Sequence, residues 1–245
     1  MIIYILLGVI QGIFEWIPIS SEGVVALASQ FLVKSVNPVD IALFLHLGTF
    51  LAVMAYFWKD WKEVLLFRNK ELLKFLAIAT LVSLAIGFVL YNFVSQVVLG
   101  TGLLFITGFG LLFTACFNKR RKRAGLEGDK LALLAGVFQG LAVIPGFSRS
   151  ASTIFALSLG KKSPSDILKL SYMMSAPVVL ASAGYIFFKN PAILTDGWIA
   201  LVISFLVGLA SLKILLNISA RISFVKFAVI FSIICFIGGL LGIFL

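Results

Sequence analysis

The sequence predicts an all-α integral membrane protein with six transmembrane helices and two re-entrant helical hairpins in an inverted-topology repeat. Three observations predict it. Of 245 residues, 61% are hydrophobic and only 12% charged, with a mean hydropathy of +1.14, a balance no soluble globule has. Two long apolar stretches are broken near their centres by Pro18 and Pro145. The lysines and arginines fall almost wholly on one side of the chain when it is folded this way.

The elements follow in chain order. The first broken stretch covers about 2–33, and full spans follow at about 39–58, 73–92 and 99–117. The second broken stretch covers about 131–160, followed by spans at about 166–188, 197–216 and 223–244. Each span has the roughly 20 apolar residues that a bilayer core requires. The first charged residue is Glu15 and no basic segment precedes it, so the first stretch is expected to stay in the mature protein.

Charge decides how the broken stretches run. If both are re-entrant, 17 of the 20 lysines and arginines share one side, Lys34 and Lys189 lie on the other, and Arg149 lies inside the second hairpin. If both crossed fully, the basic residues would scatter over both faces. The positive-inside rule therefore favours hairpins, with the basic loops cytoplasmic and both termini outside. The net charge of +10 does not point to nucleic acid, because the NKRRKR run at 118–123 reads as a cytoplasmic anchor. Trp16, Trp58, Trp61 and Trp198 are expected at interfaces. Cys116 and Cys235 read as packing residues, with no disulfide or thiolate-metal pattern.

The chain also repeats itself. GVIQGIFEWIPISS at 8–21 resembles GVFQGLAVIPGFSRS at 136–150, and NPVDIALFLH at 37–46 resembles SPSDILKLSY at 163–172. A single membrane domain of 1–245 thus divides into repeat 1 (1–123) and repeat 2 (124–245). Three spans per half is an odd number, so the second half lies inverted relative to the first, an arrangement that builds sites between discontinuous helices. Gly8 and Gly12, like Gly136 and Gly140, have the spacing of close helix packing.

Non-helical backbone at membrane depth must be buried in protein or line a watery cavity. Ser20 and Ser21 precede one short helix, and Ser148 and Ser150 stand at the start of another. Serine there caps exposed amides, while helix starts also attract anions. Arg149 adds a permanent charge and a planar fork suited to phosphate, and arginine inside a membrane region is a functional candidate by default. A structural ion pair from Arg149 to Glu15 or Glu22 is the alternative. Taken together, the group points to an anionic, phosphate-bearing ligand, cleaved or carried. Asp40 and Asp166 read as helix-start caps outside the site.

The loops Q-G-I-F-E-W-I-P-I-S-S-E-G-V and P-G-F-S-R-S-A-S-T resemble the paired signatures of the undecaprenyl-diphosphate phosphatase (bacitracin-resistance) family of membrane enzymes. The resemblance implies hydrolysis of a polyprenyl diphosphate to the monophosphate and inorganic phosphate, recycling a carrier lipid. It makes Glu15 a catalytic or metal-associated carboxylate, with Mg²⁺ or Ca²⁺ as the cofactor. Ser21 becomes the nucleophile or a phosphate ligand, and Ser20 a neighbouring polar contact. Arg149 becomes the diphosphate clamp, with Gly146, Ser148, Ser150 and Thr153 as loop ligands. A homodimer is usual in that family.

The sequence departs from the pattern at Gln11, Val24 and Ala151, where the family has glutamate, histidine and glycine. Losing a carboxylate weakens a hard-cation site, and losing the histidine removes a proton carrier. Glu22 either replaces the missing base or ligand, or caps its helix. Phosphate release by Glu22→Gln separates these two roles. His46, the single histidine, is either a substitute proton carrier or a hydrogen-bonding group within the bundle, and the second is the plainer expectation. A carboxylate beside a diphosphate repels it, so the resemblance requires a metal or a neutral carboxyl. The rival function is a polyprenyl-phosphate carrier that flips the lipid without hydrolysis.

Overall fold

The computed structural model describes residues 2–17, 21, 24–25, 28, 38–94, 105, 108–109, 111–112, 125–143, 148–189 and 193–244. The longer described segments form nine helices and no strands: α1 (Ile2–Phe14), α2 (Pro38–Tyr56), α3 (Trp58–Leu65), α4 (Lys70–Val94), α5 (Gly128–Leu141), α6 (Arg149–Ser158), α7 (Pro164–Lys189), α8 (Ile193–Ser219) and α9 (Phe224–Phe244). Among the described residues, three segments are long and apolar enough to cross a membrane: Lys70–Leu90, Pro164–Gly184 and Gly197–Ser219. Ile2–Phe14, Phe44–Tyr56 and Val225–Leu241 are shorter apolar helices. The protein is thus an all-helical membrane protein.

The helices differ from expectation in one place. The first expected span stops at Tyr56, and α3 continues beyond Phe57 as a separate short helix whose buried face is Trp61 and Val64. The lysines and acids on its other side keep it from joining the apolar span. Of the expected span 99–117, residues 105, 108–109 and 111–112 are helical. Gly108 packs on α9, where Ser232 Oγ donates to its carbonyl at 2.7 Å. The remainder of that span, Cys116 and the 118–123 run lie outside the described residues.

Glycine sets the main helix contacts. A Cβ on Gly8 would sit 2.5 Å from the Ala200 carbonyl oxygen, and one on Gly12 2.8 Å from Val207 Cβ. The second half repeats this contact: Gly136 meets Ala79 and Val82, and Gly140 meets Ser83 and Ile86. In both pairs the numbers climb together, so α1 runs parallel to α8, and α5 runs parallel to α4. α2 also runs parallel to α8, with Phe44 against Gly197, Gly48 against Leu201 and Thr49 against Gly208.

The second broken stretch closes on itself. Leu126, before α5, forms a β-bridge with Gly160, after α6, so the two ends of this segment lie side by side. Ion pairs cluster near that point: Lys74 Nζ lies 2.7 Å from Asp129 Oδ2, and Lys169 Nζ lies 2.6 Å from Asp60 Oδ1. Asp166 belongs to the cap of α7, where it accepts from Ser163 Oγ at 2.6 Å. Both bridges join the first half of the chain to the second. The packed centre between them contains Leu131, Ile154, Leu157, Leu168 and Met173, all fully buried.

Candidate active site

α1 ends in a turn at 15–17, where the Glu15 amide donates to the Gln11 carbonyl at 3.0 Å and the Ile17 amide to Phe14 at 3.2 Å. Gln11 and Glu15 are one helical turn apart and so share a face. Gln11 Nε2 donates to Glu15 Oε2 at 2.8 Å. The same carboxylate oxygen accepts from Ser21 Oγ at 2.9 Å and faces His46 Nε2 at 3.1 Å. Oε1 takes Arg149 Nη2 from the first turn of α6. The Glu15 side chain is only 2% exposed.

Arg149 divides its fork. Nη2 pairs with Glu15, while Nη1 is buried with no hydrogen-bond partner among the described residues. Buried donors are nearly always satisfied, so the unmatched guanidinium arm is a donor left open to a further acceptor. Ser148 caps α6, accepting from the Ala151 amide at 3.4 Å, and its hydroxyl lies 3.2 Å from Ser150 Oγ. Ser150 Oγ donates to the Ile17 carbonyl at 2.9 Å, so the tip of the first broken stretch touches the start of α6.

Trp16 is not at an interface. It is 1% exposed, its ring meets Tyr172 edge-on at 5.0 Å, and its Nε1 donates to the Gly208 carbonyl at 2.9 Å. Trp61 is also buried, whereas Trp58 and Trp198 are exposed as expected. Trp16 is held inside because the turn that bears it inserts between α7 and α8.

The structure thus brings Gln11, Glu15, Ser21, His46 and Arg149 together, with Ser148 and Ser150 alongside. His46 reaches the Glu15 carboxylate from α2, a contact that fits both the proton-carrier reading and the hydrogen-bonding one. Thr153 points elsewhere: its hydroxyl donates to the Arg149 carbonyl at 2.9 Å and lies 2.6 Å from Ser171 Oγ. Ser20, Glu22 and Gly146 lie outside the described residues. Sequence reasoning missed Tyr172, whose hydroxyl donates to the Trp16 carbonyl at 2.7 Å.

The described donors do not fit a Mg²⁺ or Ca²⁺ site. Among the described residues no three acid, histidine or cysteine side chains gather to hold a metal. Both Glu15 oxygens already face donors, whereas hard cations take several free oxygens. Gln11 explains part of this, since an acid there would face Glu15 with like charge and an amide instead donates to it.

Apolar helices enclosing a buried acid, arginine, imidazole and hydroxyl define a membrane-embedded protein with a polar site built from both halves of its chain. The chain belongs to the bacitracin resistance protein BacA family, whose family model matches residues 4–240. A relative from Haloarcula marismortui named undecaprenyl-diphosphatase is 34% identical, over 98% of this chain and 97% of its own length. Relatives of the same name from Methanococcoides burtonii and Halothermothrix orenii are each 32% identical, over 92% and 98% of this chain and 93% and 96% of their own.

Proposed function

We propose that this protein hydrolyses undecaprenyl diphosphate to the monophosphate and inorganic phosphate, recycling the carrier lipid for cell-envelope assembly. The observation behind this reading is Arg149, at the start of α6, with one arm on Glu15 and the other buried and unmatched. The names of the three relatives agree with it, and nothing in them favours a carrier.

Phosphoryl transfer needs mainly positioning and charge neutralisation. The free arm of Arg149 and the N-terminus of α6 would grip the diphosphate, while the polyprenyl chain lies among the apolar helices. Water, positioned by Ser21, attacks the outer phosphorus. The bond from that phosphorus to the bridging oxygen breaks, and its electrons leave on the monophosphate. Glu15 takes the proton of the attacking water, and His46 contacts the same carboxylate oxygen. In the covalent variant, Ser21 Oγ attacks first and water then releases the phosphate.

The six-span layout with two inverted re-entrant hairpins is part of this proposal. Its supports are the parallel course of α1 and α2 along α8, the Leu126–Gly160 closure and the one-sided distribution of basic residues. It places the basic loops in the cytoplasm and both termini outside.

The test is direct. Protein purified in detergent and given a polyprenyl diphosphate should release inorganic phosphate. No release, together with movement of labelled polyprenyl phosphate across vesicles containing the protein, would install the carrier in its place.

A further inference from the structure

The last carbonyls of a helix have no partner within it and must find one elsewhere. At the end of α1 the partners are hydroxyls from three other helices. Gly12 O accepts from Ser211 Oγ of α8 at 2.6 Å, Trp16 O from Tyr172 Oη of α7 at 2.7 Å, and Ile17 O from Ser150 Oγ of α6 at 2.9 Å. All three donors come from the second half of the chain, and all three acceptors flank Glu15. Tyr172 is fully buried and also presses its ring against Trp16. Trp16 is held from its far side by Gly208 O and by Ser211 Oγ at 3.0 Å.

We propose that Tyr172 is a positioning residue for the reaction, with Ser211 in support: its hydroxyl fixes the turn after α1 and thereby aims the Glu15 carboxylate. One oxygen of Glu15 must meet Gln11, Ser21 and His46 at once while the other meets Arg149. Four simultaneous partners leave little room for the backbone beneath them to drift, and a misplacement of about 1 Å can cost on the order of 10²-fold in rate. The second half of the chain therefore supplies the arginine and also sets the aim of the acid that the first half supplies. This rests on the proposed hydrolysis only for its kinetic readout.

The experiment is Tyr172→Phe, which removes the hydroxyl and keeps the ring. Per folded molecule, kcat should fall about tenfold while KM stays within about twofold, because Tyr172 aims the carboxylate and holds no part of the diphosphate. Hydrogen exchange of the 12–17 backbone should quicken about tenfold, with α9 unchanged. If Tyr172→Phe does not fold, Ser211→Ala provides the same two readouts. Unchanged kcat with unchanged exchange at 12–17 overturns the proposal, as does a loss confined to KM. If wild type releases no phosphate, the functional reading fails, and the exchange measurement still decides whether the hydroxyl holds the turn.

Discussion

Arg149 Nη2 donates to Glu15 Oε1 across 134 residues of chain, and both side chains are largely out of solvent, at 17% and 2% exposure. The pair joins the start of α6 to the end of α1, next to the bond from Ser150 Oγ to the Ile17 carbonyl. An ion pair this buried gains little net stability, because desolvation offsets most of its attraction. The second arm of Arg149 has no hydrogen-bond partner among the described residues, and His46 and Ser21 meet the same carboxylate.

Arg149→Lys should therefore lose about 10²-fold or more in kcat/KM for phosphate release, because a point charge cannot hold Glu15 and a phosphate oxygen with two arms. Near-normal kinetics in this variant would show that a divided guanidinium is not how the diphosphate is held.

Glu15→Gln should both inactivate and destabilise, since removing one partner of a buried pair leaves the other uncompensated, at a cost of about 3–5 kcal/mol. Glu15→Gln combined with Arg149→Met should recover most of that stability and none of the activity. Thermal melting in detergent and phosphate release, read side by side, make the comparison.

His46→Gln retains a donor for Glu15 but no ring able to carry a proton. If the imidazole shares in proton transfer, kcat falls about 10²-fold with KM little changed. An unaltered kcat returns His46 to a packing role.

Gly8→Ala should destabilise by about 1–3 kcal/mol, because the new methyl would meet the Ala200 carbonyl at 2.5 Å and α8 would have to shift. Gly184→Ala is the contrast: its methyl meets nothing within 4 Å, and helix propensity favours alanine by about 1 kcal/mol. Melting temperatures moving in opposite directions would bear this out, and equal shifts would contradict it.

If the protein holds no ion of its own, melting with a chelator should match melting with Mg²⁺ to within about 1–2 °C. A fall of several degrees on adding chelator would reveal an ion held by the protein itself.

Much of the site was legible in the sequence. Glu15, Ser21, Arg149, Ser148 and Ser150 stand out because polar groups beside prolines in apolar stretches need a physical reason. The tight glycine contacts were legible too, as was the resemblance that implied the activity. Trp16 was misread because tryptophan in a membrane sequence usually marks an interface, and nothing local says that its turn inserts between α7 and α8. His46 and Tyr172 each resemble an ordinary residue of an apolar helix. One signal could have found both: they occupy the same position in the repeated segments 37–46 and 163–172. Each reaches the tip at 15–17, one through the Glu15 carboxylate and the other through the Trp16 carbonyl.

The sequence by itself determined which segments are apolar enough for hydrocarbon, where helices must break and where glycine permits close approach, because these depend on composition and spacing along the chain. Only the tertiary structure decided which side chains meet at Glu15. Those partners come from α1, α2, α6 and Ser21, and their convergence depends on how far each helix is turned about its axis when it packs. A small rotation of α2 or α7 would carry His46 or Tyr172 away from the tip without changing the hydrophobic pattern at all.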